Sequence, residues 1–234
     1  MKRSAIGFTR TLVLSATTVA VGAGCATVDG GGDDGDADAL ITTLAAGERL
    51  VIDPAGSAIE LRAALDRGDH VDVADVELRV EHGAITVRAV APAPAPGADP
   101  GAPTPATDLV LDAELAFAPV ALPDDLGPGD LRLVDVAVAT AAPARCTPRW
   151  TADQVACDLD LELDLRWSLA RDGWTYPLGG QALRPIAVAT TVTRTADGLR
   201  VDAAGGADGT VWRWAGVAEL DEVAVVLAAG ADVD

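Results

Sequence analysis

From Asp158 to Leu169 every second residue is large and apolar. Leu159, Leu161, Leu163, Leu165, Trp167 and Leu169 alternate with Asp158, Asp160, Glu162, Asp164, Arg166 and Ser168. A period of two is the repeat of a strand with one buried face, and a helix cannot present such a row on one side. Asp172-Gly173 follows, a dipeptide suited to a two-residue hairpin turn. With those two as the turn, Arg171 opposes Trp174, Leu169 opposes Tyr176 and Trp167 opposes Leu178. Cross-strand partners share a face, so the large apolar side chains fall together, and a slip of one residue would scatter them.

The same test applies elsewhere. With His82-Gly83 as a turn, Val80 faces Ile85, Leu78 faces Val87, and Glu77 meets Arg88 on the other face. With Asp197-Gly198 as a turn, Val201 opposes Arg194 and Ala203 opposes Val192. Alternating runs recur at 109–117, 134–138 and 211–214, while 222–229 fits either a two-sided strand or a helix. One helix is expected early, because Ser57-Ala58-Ile59-Glu60 has the form of a capping box and Gly68 is placed to stop it. Together these patterns predict an all-β chain, an antiparallel β-sandwich or partial barrel with one short helix near the N-terminus. The alternative is a short right-handed parallel β-helix. The run LRAALDRGDHVDVADVELRV followed by AITVRA resembles the N-terminal cap and first rung of that family. The aromatic girdles of a transmembrane barrel are missing.

Six of the 14 prolines lie in residues 91–107, APAPAPGADPGAPTPAT. Proline cannot donate to a sheet ladder, so this stretch is expected as an extended loop. A single β-rich domain over 39–234 is expected around it.

Residues 1–24 read as an address. Lys2, Arg3 and Arg10 are positive, no acid precedes Asp29, and 14 mostly apolar or small residues separate Arg10 from Cys25. A bilayer span needs about 20 apolar residues, so the stretch fits a signal-peptide core. Ala23-Gly24-Cys25 resembles the lipobox of bacterial lipoproteins. The resemblance implies cleavage before Cys25, a diacylglycerol on its thiol and attachment to a membrane through that acyl anchor. Ala26, following the cysteine, implies the outer membrane. Ordinary cleavage after Ala23 or Ala26, giving a soluble periplasmic or secreted protein, is the alternative. Cysteine arithmetic favours lipidation, since setting Cys25 aside leaves the even pair Cys146 and Cys157, expected as a disulfide in an oxidising compartment. Residues 25–38, rich in Gly and Asp, are expected as a flexible tether. Asp34, Asp36 and Asp38 mimic the opening of a calcium loop, but Ala39 and Ala45 stand where that loop needs Gly and Glu.

Charge narrows the partners. The chain holds 17 basic and 36 acidic residues, and cleavage before Cys25 leaves 14 against 36, a net −22. Nucleic-acid binding needs cations to displace phosphate counterions, so nucleic acid is excluded as a partner, and the same charge disfavours electrostatic docking on anionic lipid headgroups.

Cys146 and Cys157 bracket ten residues, and Arg145, Arg149 and Trp150 lie inside or beside that stapled loop. Arginine and tryptophan dominate interface hot spots, so these three form a candidate docking site for a protein or glycan. The plainer reading folds Trp150 back over the sheet edge. Trp167, Trp174 and Tyr176 share a hairpin face that continues the leucine row, so they belong to the core. Trp212 and Trp214 share a strand face and are the candidates for an exposed sugar-stacking platform. The acidic row Asp158, Asp160, Glu162 and Asp164 calls for solvent or for Arg166, Arg184, Arg194 and Arg200 as cross-strand partners. His70 and His82 lack zinc spacing, Ser57 and Ser168 sit in no nucleophile motif, and the glycines at 205–209 precede no helix. No metal, cofactor or catalytic set is therefore nominated. The function expected is that of a non-enzymatic envelope lipoprotein, binding or structural, acting through the stapled loop and the tryptophan-bearing sheet. One alternative is a carrier of a lipid or other hydrophobic ligand in a curved sheet lined by the 159–169 leucine row. Another is a carboxylate-dependent hydrolase, since the acids offer many pairs.

Overall fold

The two-residue alternation is realised in eight strands that pair in the order in which they follow along the chain. The computed structural model describes residues 34–91, 107–124, 126, 130–151, 153–214 and 218–231, with side chains for all of these except 34–37, 211, 213, 214 and 218. The signal peptide at 1–24, Cys25 and residues 26–33 of the tether lie outside the described residues, as does 92–106 of the Pro-rich stretch.

Strand β1 (Glu48–Ile52 and Ala58–Asp66) is interrupted by a 3-10 turn at Pro54–Gly56. Then come β2 (Val71–Val90), β3 (Asp108–Phe117), β4 (Arg132–Thr140 and Ala144–Cys146) and β5 (Gln154–Leu161 and Leu163–Arg171). The series ends with β6 (Trp174–Ala182 and Ile186–Thr195), β7 (Gly198–Trp214) and β8 (Ala218–Gly230). Short strands at Val120–Ala121 and Arg149–Trp150 pair with β4 and β5 from outside this series. Strand β8 returns to pair with both segments of β1, through Val51↔Gly230 and Ala58↔Val226. The sheet is therefore rolled on itself as an up-and-down barrel. Every pairing among the described residues is antiparallel. That meets the all-β expectation and overturns the parallel β-helix, because consecutive strands turn back on each other instead of winding in rungs.

Alternate residues of each strand point inward and merge into one core. Val76, Leu78 and Val80 of β2, Leu109 and Leu111 of β3 and Leu159 and Leu161 of β5 all belong to it. The connections that follow β1, β3, β5 and β7 lie at one end, called upper here, and those that follow β2, β4 and β6 at the lower end. Helix α1 (Asp34–Ala45) closes the lower end: Leu40 and Leu44, one turn apart, are fully buried in the same core. Gly47, at φ +84°, then turns the chain into β1.

Several local expectations give way to tertiary pairing. The helix expected from Ser57 is instead the second segment of β1, flanked on both edges by β2 and β8. Ile59 and Leu61 are buried while Glu60 is exposed, and the Ser57 hydroxyl bonds to Ala228 instead of capping a turn. The helix near the N-terminus is α1, whose first turn takes in the last residues of the stretch read as a tether. His82-Gly83 is no turn: β2 runs unbroken for 20 residues, with a bulge between Val80 and His82. Gly83 is needed for a close approach, since a Cβ there would lie 2.5 Å from the Glu114 carbonyl oxygen. Glu77 accordingly pairs with Arg79 at 3.0 Å, not with Arg88. The β6–β7 hairpin turns at Ala196-Asp197, one residue earlier than expected, so Val192 faces Val201 and Arg194 faces Leu199. At Asp172-Gly173 the turn holds, with φ of 49° and 78°, and Arg171↔Trp174 and Leu169↔Tyr176 pair as expected. A bulge then shifts Trp167 onto Gly179 and leaves Leu178 as the extra residue.

Candidate functional site: two seams and an apolar cavity

Two neighbouring strand pairs of the barrel are hydrogen-bonded over only half their length. Strands β4 and β5 pair in their upper halves, from Leu163↔Thr140 to Ala170↔Arg132. Their lower segments share no ladder among the described residues and are joined by the Cys146–Cys157 disulfide, with 6.2 Å between Cα atoms. Strands β6 and β7 show the reverse. Their lower halves pair from Ala187↔Gly206 to Thr195↔Gly198, while Trp174–Ala182 and residues 207–214 share no ladder among the described residues.

Two side-chain hydrogen bonds span this upper seam. The Trp212 indole N–H donates to Gln181 Oε1 at 2.8 Å, and Arg184 Nη1 donates to the Thr210 carbonyl at 3.3 Å. The Gln181 amide nitrogen donates in turn to the Leu178 carbonyl at 3.3 Å, which fixes which end of the side chain faces Trp212. Glycines surround the point of divergence. A Cβ at Gly205 would lie 2.0 Å from the Ala187 carbonyl oxygen, so β7 can cross β6 there only with glycine.

Behind the seam lies a cavity of about 150 Å³ whose wall is almost wholly apolar. Strand β5 contributes Trp167 and Leu169, β6 Leu178, β7 Trp212 and β8 Leu220, and Leu122, Leu126 and Leu131 of the connection after β3 cover it. Trp167 and Trp212 meet edge to face, with centroids 5.3 Å apart and planes at 81°. Such a pair contributes about 0.5–1.5 kcal/mol beyond its buried area. The buried Trp167 indole N–H has no hydrogen-bond partner. Glu219, at the cavity wall, accepts a 3.4 Å bond from Thr210 Oγ1. Eight-stranded barrels have interiors just wide enough to be filled by side chains or to hold one small ligand, and this one is filled below and keeps a cavity above. A dry apolar cavity of this volume accepts an apolar molecule the size of benzene.

The β5–β6 hairpin projects past the barrel rim, and that overturns its expected burial. Trp174 and Tyr176 share the face of Leu169 but are 69% and 59% exposed, because no strand lies opposite them at that height. Trp212, expected on an exposed platform, is half-buried in the cavity wall. The backbone of Trp214 ends β7, and its side chain lies outside the described residues.

The residues proposed as a docking knob are engaged internally at the lower end. Arg145 lies 3.5 Å from the buried Asp108 carboxylate, which also accepts a bond from Thr147 Oγ1 at 3.2 Å. Trp150 is half-buried, its N–H donating to the Thr107 carbonyl at 3.0 Å, so it folds over the barrel edge. Arg149 stays exposed on the short strand paired with β5. Thus Trp150 and Trp212 sit at opposite ends of the barrel. The acidic row of β5 faces outward, with Asp158 and Asp160 opposite Ala189 and Ala187, and none of the four arginines forms an ion pair with it among the described residues. Among those residues no group of metal-ligating side chains converges, and no helix is long and apolar enough to cross a membrane.

Sequence reasoning missed the seam, the part Gln181 plays in it, and Leu220 of the cavity wall. The leucine row pointed to the right interior, but a missing ladder between β6 and β7 leaves no periodic trace; the glycines at 179–180 and 205–209 were the available signal. No family model, no curated protein and no solved structure matches this chain.

Proposed function

We propose that this protein is an extracytoplasmic, lipid-anchored binding protein that holds a small apolar ligand in the upper end of its barrel. The cavity of about 150 Å³ at the upper end of the barrel, walled by β1, β2 and β4–β8, carries the reading. A barrel that had no ligand to hold would gain by filling that space, since lost methylene contacts in a core cost about 1 kcal/mol each. The carrier is favoured over recognition by the stapled loop because Trp150 and Arg145 are used to close the lower end. Binding, not catalysis, is the role, and the anchor is the acyl chain on Cys25 implied by the lipobox resemblance. The partners are the membrane, through that chain, and the ligand.

Mass spectrometry of organic extracts from natively purified protein tests this. One equivalent of a co-purified apolar compound is expected, and Leu178→Glu, at the cavity mouth, should lose it while keeping the circular dichroism of the parent. Extracts free of any apolar compound, together with no uptake of an environment-sensitive apolar dye, would overturn the proposal.

A further inference from the structure

The cavity is too small for a whole lipid. At about 150 Å³ it takes one end of a single chain, so the remainder of the ligand must leave through the wall. At this height two places in the wall lack a ladder among the described residues. Strand β2 runs on past its last partner in β3, Val80↔Phe117, on the side where Leu122, Leu126 and Leu131 of the connection after β3 line the cavity, and β6 and β7 are joined by side-chain bonds alone. Leu178 and Trp212, on the two sides of that seam, both line the cavity. The three leucines cover the first place, so the exit passes between Leu178 and Trp212, where the bridges are side-chain bonds and not a backbone ladder.

The groups at this exit point to the head of the ligand. Arg184 is exposed and forms no ion pair among the described residues, its one bond being to the Thr210 carbonyl. In a chain with 36 acids and 17 bases, a cation left without a carboxylate on the seam that bounds an apolar cavity is an anion site in waiting. The buried Trp167 N–H, on a ring set edge to face against Trp212, is a donor without an acceptor. Two spare donors call for a ligand that brings acceptors.

Resting on the apolar-ligand reading above, we infer that the ligand is a single-chain amphiphile with an anionic head group, its tail in the cavity and its head at Arg184 in the seam between β6 and β7. Carboxylate and phosphate heads share this chemistry.

Three probes of equal chain length test it: decanoate, decyl phosphate and decanol, each titrated by isothermal calorimetry against the purified protein and its Arg184→Gln variant. The two anions should bind about fivefold more tightly than decanol, the most that one exposed ion pair contributes. Arg184→Gln should bring both down to the affinity of decanol, which itself stays unchanged. An advantage of one anion over the other identifies the head as carboxylate or phosphate. Equal affinity for all three probes, or an anion advantage that survives Arg184→Gln, overturns the head-group assignment and leaves the cavity reading standing. Failure of all three to bind overturns both.

Discussion

The hydroxyl of Ser57 makes two hydrogen bonds to one residue 171 positions away, donating to the Ala228 carbonyl at 3.2 Å and accepting from the Ala228 N–H at 2.9 Å. The Asp53 N–H donates to the same carbonyl at 2.8 Å. This knot ties the interruption in β1 to the closing strand β8. Ser57→Ala leaves the Ala228 N–H buried without an acceptor, while its carbonyl keeps Asp53. A loss of about 1–3 kcal/mol follows, the cost of one orphaned donor. Urea unfolding should show it as a lower midpoint at constant slope, and an unchanged midpoint would mean water replaces the hydroxyl.

The disulfide closes a lower seam that no ladder closes, so its loss should be felt locally. A loop of this length stabilises by about 3 kcal/mol in the chain-entropy model. Cys146→Ser with Cys157→Ser is expected to lower the thermal midpoint and to speed amide exchange in Ala144–Cys146 and Gln154–Leu161. Ligand affinity should stay within twofold, because the cavity lies at the other end. A large loss of affinity would show the two seams to be coupled.

Which parts of this architecture could be read from sequence follows from what each signal reports. The 159–169 row with Asp172-Gly173 specified the hairpin turn and its register as far as Leu169↔Tyr176, because turn chemistry and alternation agree at short range, whereas the bulge that moves Trp167 onto Gly179 left no local signal. At Gly83 the same reasoning failed: glycine serves both turns and close approaches, and only the position of the Glu114 carbonyl, 31 residues away, distinguishes them. Residues 58–66 carry both a capping box and an alternation, and the two flanking strands decided for the alternation. The cavity was legible only as a leucine row, since a void is the absence of side chains and no residue announces it. Trp212 was misplaced outward because its neighbours across the seam, Gln181 and Trp167, lie on strands distant in sequence.

Two glycines separate close approach from backbone conformation. At Gly205 a Cβ would meet the Ala187 carbonyl oxygen at 2.0 Å and Val188 Cα at 2.7 Å, and neither can move without breaking the β6–β7 ladder. At Gly68, φ is +91° and nothing lies within 4 Å of a Cβ. Gly68→Ala is expected to cost about 1–2 kcal/mol, the strain of a left-handed backbone. Gly205→Ala should cost about 3 kcal/mol or more by overpacking. Paired denaturation curves check the order, and a reversal would mean that β7 shifts freely across β6.

Arg145 and Asp108 give an asymmetric test of the lower end. The Asp108 side chain is 9% exposed and holds both Arg145, at 3.5 Å, and Thr147, at 3.2 Å. Arg145→Ala strands a buried carboxylate on one neutral bond, whereas Asp108→Asn keeps an acceptor for Thr147 and frees an arginine that is half in water. Removing one partner of a buried pair costs far more than replacing both, so Arg145→Ala should lose about 2–3 kcal/mol and the double variant less than that. Thermal unfolding of the two single variants and the double one closes the cycle. If Arg145→Ala proves neutral while pull-downs with the variant lose a partner, Arg145 serves recognition and not closure.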